Sequence, residues 1–225
     1  MGQIFFSHAT ENRQAGVAVL IPSQCPYRVV EIFSNSDGRI VCVEVQLDSN
    51  IEPLILFGIY APAVDNQDKK CEFLDDLRYM LLCHGGSNMI VTGDFNIKLS
   101  HLDSDNPKYK PTLAARTLKD ILAEFSLEDS WRLQHPKSHK CSWRRVNSIG
   151  NLPLCQSRID YIFASQTLLQ NHVAKSGIDV GVLTDHNFIR LDVEMSVERR
   201  GPGLWKYNNK LLDDQNHVLM VKEEI

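Results

Sequence analysis

The chain has six cysteines but no Cys-x-x-Cys pair. A zinc site of the usual spacing is therefore not expected. Cys42, Cys71 and Cys83 fall at or near apolar positions of strand- or helix-like patterns. They read as small buried hydrophobes in a reducing compartment. There is no Asn-x-Ser/Thr sequon, and Phe6 stands where a myristoylation signal needs Ser or Thr. No apolar run nears the ~20 residues that a spanning helix needs. The N-terminus lacks the charged-then-apolar pattern of a leader. These absences predict a soluble intracellular protein, nuclear or cytoplasmic, with no membrane partner.

Acidic residues are missing from one long window. The net charge is −4 over 225 residues, yet no Asp or Glu lies between Asp129 and Asp160. Arg132, Lys137, Lys140, Arg144, Arg145 and Arg158 fall inside that window. A local basic tract in an acidic protein can neutralise phosphates, and it can equally be a solvated loop.

What is present is an alternation of strands with two good helices. Apolar or alternating runs predict strands at Ile4–Phe6, Gly16–Ile21, Arg28–Phe33, Arg39–Leu47, Leu54–Tyr60 and Met89–Val91. Asp37-Gly38 predicts a hairpin turn between the third and fourth of these. Further strands are expected at Cys141–Val146, Ser157–Ser165, Ser176–Val182 and Phe188–Met195. Helical periodicity marks Asn66–His84, closed by Gly85-Gly86, and Thr112–Phe125. Leu127–Arg132 reads as a connector, and 98–111 and 147–154 as loops. Residues 198–225 change character and read as a tail or linker after a domain at 1–197. The pattern fits an α+β or layered α/β sandwich, two sheets face to face with helices outside.

One stretch stands out, Ile-Val-Thr-Gly-Asp-Phe-Asn at 90–96. In extended backbone, residues two apart share a side, so Asp94 and Asn96 would project together from the end of a buried strand. A carboxylate beside a neutral amide suits a phosphate site: the acid activates water or holds a cation, and the amide donates a hydrogen bond. Asp and Asn also populate ordinary strand-end turns. Three further candidates lie at predicted strand ends: Tyr60, Asp160, and Asp185-His186 in a loop. Each alone has a plain alternative, a salt bridge to Arg158 for Asp160 and a surface loop for Asp185-His186.

In this order the set is more specific. Gly-Asp-Phe-Asn (93–96), Ser-Arg-Ile-Asp-Tyr-Ile (157–162) and Thr-Asp-His (184–186) resemble the endonuclease/exonuclease/phosphatase superfamily. Gly-Ile-Tyr-Ala-Pro (58–62) and the tail Arg-Gly-Pro-Gly-Leu-Trp-Lys-Tyr-Asn-Asn (200–209) resemble the apurinic-endonuclease-like domain of non-LTR (LINE-type) retrotransposons. The resemblance covers nearly the whole chain. It implies a four-layer α/β sandwich of two packed mixed sheets flanked by helices. It also implies DNA as substrate, Mg²⁺ or Mn²⁺ as cofactor, and a reverse transcriptase module as partner in the full-length relative.

The resemblance also assigns roles. Asp94 would activate water or protonate the leaving group, with Asn96 positioning it. His186 would hydrogen-bond the phosphate, oriented and kept protonated by Asp160. Tyr60 would donate its hydroxyl to phosphate, and Asp185 would lie near the metal. Ser142, Trp143, Arg144 and Arg145 occupy the place of a DNA-contacting strand, where Trp143 is either a stacking platform or core.

Two departures accompany it. The family begins with one strand bearing an Asn and another bearing a metal-binding Glu, and this sequence is expected to start after both. Neither Glu11 nor Glu44 fits the missing role. Ala63 stands where the family often has Asn. Metal binding is therefore expected to be weak. An inactive remnant that binds nucleic acid, or a phosphatase of the same superfamily, are the alternatives.

Overall fold

The protein is seen as a computed structural model that describes residues 2–7, 15–25, 27–46, 52–146, 153–181 and 184–194. The chain divides into two units, Met1–Glu194 and Met195–Ile225. The expected tail at 198–225 and Glu11 lie outside the described residues.

The strands are β1 (Gln3–Ser7), β2 (Val17–Ile21), β3 (Arg28–Ser34), β4 (Ile40–Gln46), β5 (Leu54–Tyr60), β6 (Asn88–Asp94), β7 (Leu127–Asp129), β8 (Trp143–Val146), β9 (Pro153–Ser157), β10 (Asp160–Ser165), β11 (Val173–Asp179) and β12 (Phe188–Glu194). The helices are α1 (Gln67–His84), α2 (Leu113–Glu124), α3 (Ser130–Gln134) and α4 (Gln166–Asn171), with a short 3-10 helix at His101–Asp103.

Six strands make the main sheet, in the order β3-β4-β5-β6-β10-β7. Only β5 and β6 are parallel in it; the other neighbours are antiparallel. A parallel pair needs a crossover, and α1 provides it. Asn66 caps α1 by accepting from the Asp68 and Lys69 N–H groups. Phe73, Leu74, Leu77, Met80 and Leu81 then form its buried stripe.

That stripe and the Ala114, Ala115, Leu118 and Ile121 face of α2 cover one side of the sheet. They meet Ile40 and Cys42 of β4, Phe57 and Ile59 of β5, and Val91 of β6. Leu74 and Leu118 are fully buried, so truncating either to Ala costs about 2–5 kcal/mol. On the other side, Val41, Val43 and Val45 pack with Ile21 and with Phe5, Val17 and Val19 of the β1–β2 hairpin. β11 and β12 form a further antiparallel pair, with β12 against β10. The layered sandwich inferred from the sequence is the fold. Among the described residues its second sheet layer is built of separate two-stranded pieces.

Some elements differ from expectation. α3 overlaps the expected connector and α4 follows the expected strand in a stretch given no element, because five and six residues are too few to display a helical period. Each is started by a side-chain cap, Asp129 on the Arg132 N–H and Ser165 on the Leu168 N–H. Residues 153 and 154, expected as the end of a loop, belong to β9, which pairs with β8. Cys42 is buried and its thiol is pushed up to about 12, by burial first and then by Glu44. Cys83 is exposed, on the outer side of α1, so it is no core residue. No described helix is long and apolar enough to cross a membrane.

Candidate active site

Register builds the site. Tyr60 on β5 pairs with Asp94 on β6, and Asp94 pairs with Asp160 on β10. Three of the candidate residues thus stand in one row across adjacent strand ends, with neighbouring strands about 4.8 Å apart. The row is anchored from below. Phe95, between Asp94 and Asn96, is fully buried and packs edge-on against Tyr161 and Phe163.

Asp94 and Asn96 do meet, though not by strand alternation. β6 ends at Asp94, and Asn96 takes a left-handed conformation with φ +48°. Asn tolerates that region better than most residues. The Asn96 N–H donates to Asp94 Oδ1 at 2.8 Å, and its Nδ2 donates to Asp94 Oδ2 and to the Ala61 carbonyl, both at 3.1 Å. The local turn closes the pair. Gly93 precedes it at φ +143°, and a Cβ there would sit 2.0 Å from the Ile59 carbonyl oxygen. The glycine is needed for close approach of β5.

His186 reaches the row from the loop before β12. Its Nδ1 lies 3.0 Å from Asp160 Oδ2 and 3.2 Å from Oδ1, and donates to the carboxylate. That bond raises the imidazole pKa above its ordinary value, against the opposing effect of burial. Asp94 is pushed up to about 6, by burial first and then by the neighbouring Asp160 charge. Two carboxyl groups side by side therefore differ: one is tied to imidazole, the other is poised to exchange a proton near neutrality. Tyr60, Asp94, Asn96 and His186 line one open cleft of about 560 Å³, together with Lys70 and Trp143.

The remaining expected residues divide. Trp143 is half-buried on the cleft wall, and its Nε1 donates to Asp185 Oδ2 at 2.9 Å. Arg145 is exposed, and Arg144 is half-buried with a long contact to the Gly181 carbonyl at 3.4 Å. Ser142 corrects an expectation: it is fully buried and does not face a ligand. Its hydroxyl accepts the Ile159 and Asp160 N–H groups at 3.0 Å each, and its carbonyl accepts the Asn187 N–H. It holds together the two segments that carry Asp160 and His186.

Asp185, expected to lie near a metal, directly precedes His186 on the same loop. It is exposed and engaged by the Trp143 indole, which holds its carboxyl below the usual range, and it also accepts from Thr184. Among the described residues, the ligand atoms that converge within 4.8 Å belong to Asp94, Asp160 and His186. Two carboxylates are what Mg²⁺ commonly takes from protein, with phosphate and water completing its shell. The donor set fits a divalent ion held by Asp94 and Asp160. His186 fits less well, because its Nδ1 is bound to Asp160 and that bond favours the protonated ring.

The basic tract is also smaller at the surface than its sequence. Arg158 is 1% exposed and sits 2.7 Å from Asp103 and 2.6 Å from Asp129. Arg132 adds a second contact to Asp103 at 2.7 Å. The 3-10 helix presents Asp103 to both arginines, and Asp103 also closes a capping box with Ser100. Arg158 precedes β10, so the alternation that would place it beside Asp160 does not apply. No local pattern announces this buried cluster, since its partners are 29 and 55 residues from Asp103. Asn187 was equally silent: its Nδ2 donates to the Cys141 carbonyl at 2.9 Å.

Comparison with known proteins completes the description. The model of the "Endonuclease/Exonuclease/phosphatase family" matches residues 3–186. A transposon TX1 uncharacterized 149 kDa protein from Xenopus laevis is 29% identical over 223 residues, 99% of this chain but only 16% of that protein. Two solved structures share the fold. An AP endonuclease from Archaeoglobus fulgidus superposes with TM-score 0.68 at 19% identity, covering 86% of this chain and 79% of the other. The endonuclease domain of TRAS1, a telomere-specific non-LTR retrotransposon, superposes with TM-score 0.67 at 17% identity, covering 86% and 80%.

Proposed function

The chain belongs to the endonuclease/exonuclease/phosphatase family, and on that footing we propose that it is a divalent-metal-dependent DNA endonuclease of retrotransposon type. The observation that carries the proposal is the row Tyr60–Asp94–Asp160 with His186 docked on its end, from which Tyr60, Asp94 and His186 line an open cleft. The transposon relative and the retrotransposon endonuclease fold support the choice of DNA, and a reverse transcriptase as partner stays part of the same proposal.

Phosphodiester hydrolysis needs an attacking water, a proton for the leaving oxygen, and stabilisation of growing phosphate charge. Asp94, titrating near 6, carries the proton; Asn96 fixes its carboxyl through two hydrogen bonds. His186 donates to a phosphate oxygen from the ring nitrogen that Asp160 leaves free, and the bond to Asp160 favours the charged imidazole. Tyr60 adds a hydroxyl donor from β5. Trp143 and Arg145 on the β8–β9 hairpin contact the flanking strand. Mg²⁺ or Mn²⁺ would be held by Asp94 and Asp160 as carboxylates and would supply further neutralisation of the phosphate; Asp94 carries a proton only when the ion is not on it.

A second reading, nucleic-acid binding without turnover, draws on the small donor set: among the described residues only two carboxylates converge. Nicking of supercoiled plasmid separates the readings. The purified chain is incubated in Mg²⁺ and in EDTA, with Asp94→Ala as control. Nicking that needs both the ion and Asp94 is the expected result. A folded chain that binds plasmid but leaves it supercoiled in Mg²⁺ favours the second reading.

A further inference from the structure

Lys70 is a basic side chain in the cleft that the scheme above leaves unused. It lies in the first turn of α1, just after the Asn66 cap, and is half-buried. Its Nζ donates to the Asn96 carbonyl at 2.6 Å. It lines the same cleft as Tyr60, Asp94 and His186. Among the described residues that carbonyl is its one hydrogen-bond partner, so two of its three N–H donors remain for the cleft. None of the ion pairs among the described residues includes it.

An ammonium half out of water without a carboxylate contact is a costly arrangement. Burial holds the Lys70 pKa below its ordinary value, with the carboxylates of Asp65 and Asp94 pulling the other way. Lys98, the other lysine on this wall, is drawn over the Tyr109 ring at 5.2 Å. Tethering the Asn96 carbonyl would be equally served by a neutral donor. A charge kept there points to an anion that arrives with the substrate.

We propose that Lys70 contacts a phosphate of the bound DNA strand, giving the cleft a fixed cation on its α1 side, with His186 lining the same cleft from the loop before β12. The inference rests on the endonuclease reading and extends it to a residue that reads charge, not sequence.

The test is equilibrium binding of a short DNA duplex in EDTA, where nothing is cut, across a series of salt concentrations. The wild type is compared with Lys70→Gln, which keeps a donor for Asn96 without the charge, and Lys70→Arg, which keeps the charge. Each phosphate contact contributes about 0.9 to the slope of log affinity against log salt. The slope is expected to shrink by about that amount in Lys70→Gln and to be restored in Lys70→Arg. A wild-type slope retained in Lys70→Gln overturns this inference alone and leaves Lys70 a tether for Asn96. A wild-type chain that binds no duplex at low salt overturns the endonuclease reading with it.

Discussion

Asp94 and Asp160 are register partners on antiparallel strands, two carboxyl groups held side by side, with Asp94 lining the cleft. Their surroundings separate them. Asp160 is bound to His186, while Asp94 faces Asn96 and is pushed up to about 6 by burial and by the Asp160 charge.

The pH dependence of stability should carry that mark. The folded pKa of Asp94 lies above its unfolded value of 3.8, so its contribution to stability is complete below about 3.8 and is lost as pH rises through about 6. Asp94→Asn removes this component. Urea unfolding between pH 4 and 8 should show a flatter profile for the variant than for the wild type across about pH 4–6. Parallel profiles would mean that Asp94 titrates normally.

The Asp160–His186 bond predicts a titration in the other partner. With Asp160→Asn the imidazole loses its strongest support, the hydrogen bond to a carboxylate, and its pKa should fall. A raised folded pKa means stability present below the unfolded value and lost as pH rises through the folded one. NMR titration of the His186 ring protons in wild type and variant gives the shift directly. An unchanged His186 titration would separate the two residues functionally.

Gly93 should tolerate no side chain. Gly93→Ala places a methyl 2.0 Å from the Ile59 carbonyl oxygen and forces φ +143° on a residue with Cβ. Strain of this kind costs about 3 kcal/mol, before the displacement of β5 is counted. Thermal unfolding should show a lowered Tm, and the surviving protein should lose activity, because Tyr60 and Asp94 depend on this strand contact. A variant with wild-type Tm contradicts the register described above.

The buried arginine cluster predicts an asymmetry. Burial alone would push Asp103 up, but Arg158, Ser100 and Arg132 outweigh it and hold the carboxyl below its usual value. Asp103→Ala leaves Arg158 buried with Asp129 as its remaining carboxylate, at a cost of about 3–5 kcal/mol. Lys137→Ala, on an exposed residue of the same basic tract, should change stability by less than about 0.5 kcal/mol. Denaturant midpoints compare the two.

The sequence by itself determined most of the strands and the two long helices, because these follow from the period of apolar residues within a few turns or pleats; the layered sandwich was one of two readings of that pattern, chosen by the family resemblance. It also marked Tyr60, Asp94, Asn96, Asp160 and His186 as candidates, since Gly-Asp-Phe-Asn, Ser-Arg-Ile-Asp and Thr-Asp-His are local spellings. Only the tertiary structure decided which atoms meet. The pairing of Asp94 with Asp160 depends on register between strands 66 residues apart in numbering (160 − 94). It moved Ser142 from the presumed DNA face into the interior, buried Arg158 of the basic tract, and brought Lys70 to the cleft. Those outcomes rest on hydrogen bonds and ion pairs between distant segments, for which a linear pattern carries no period.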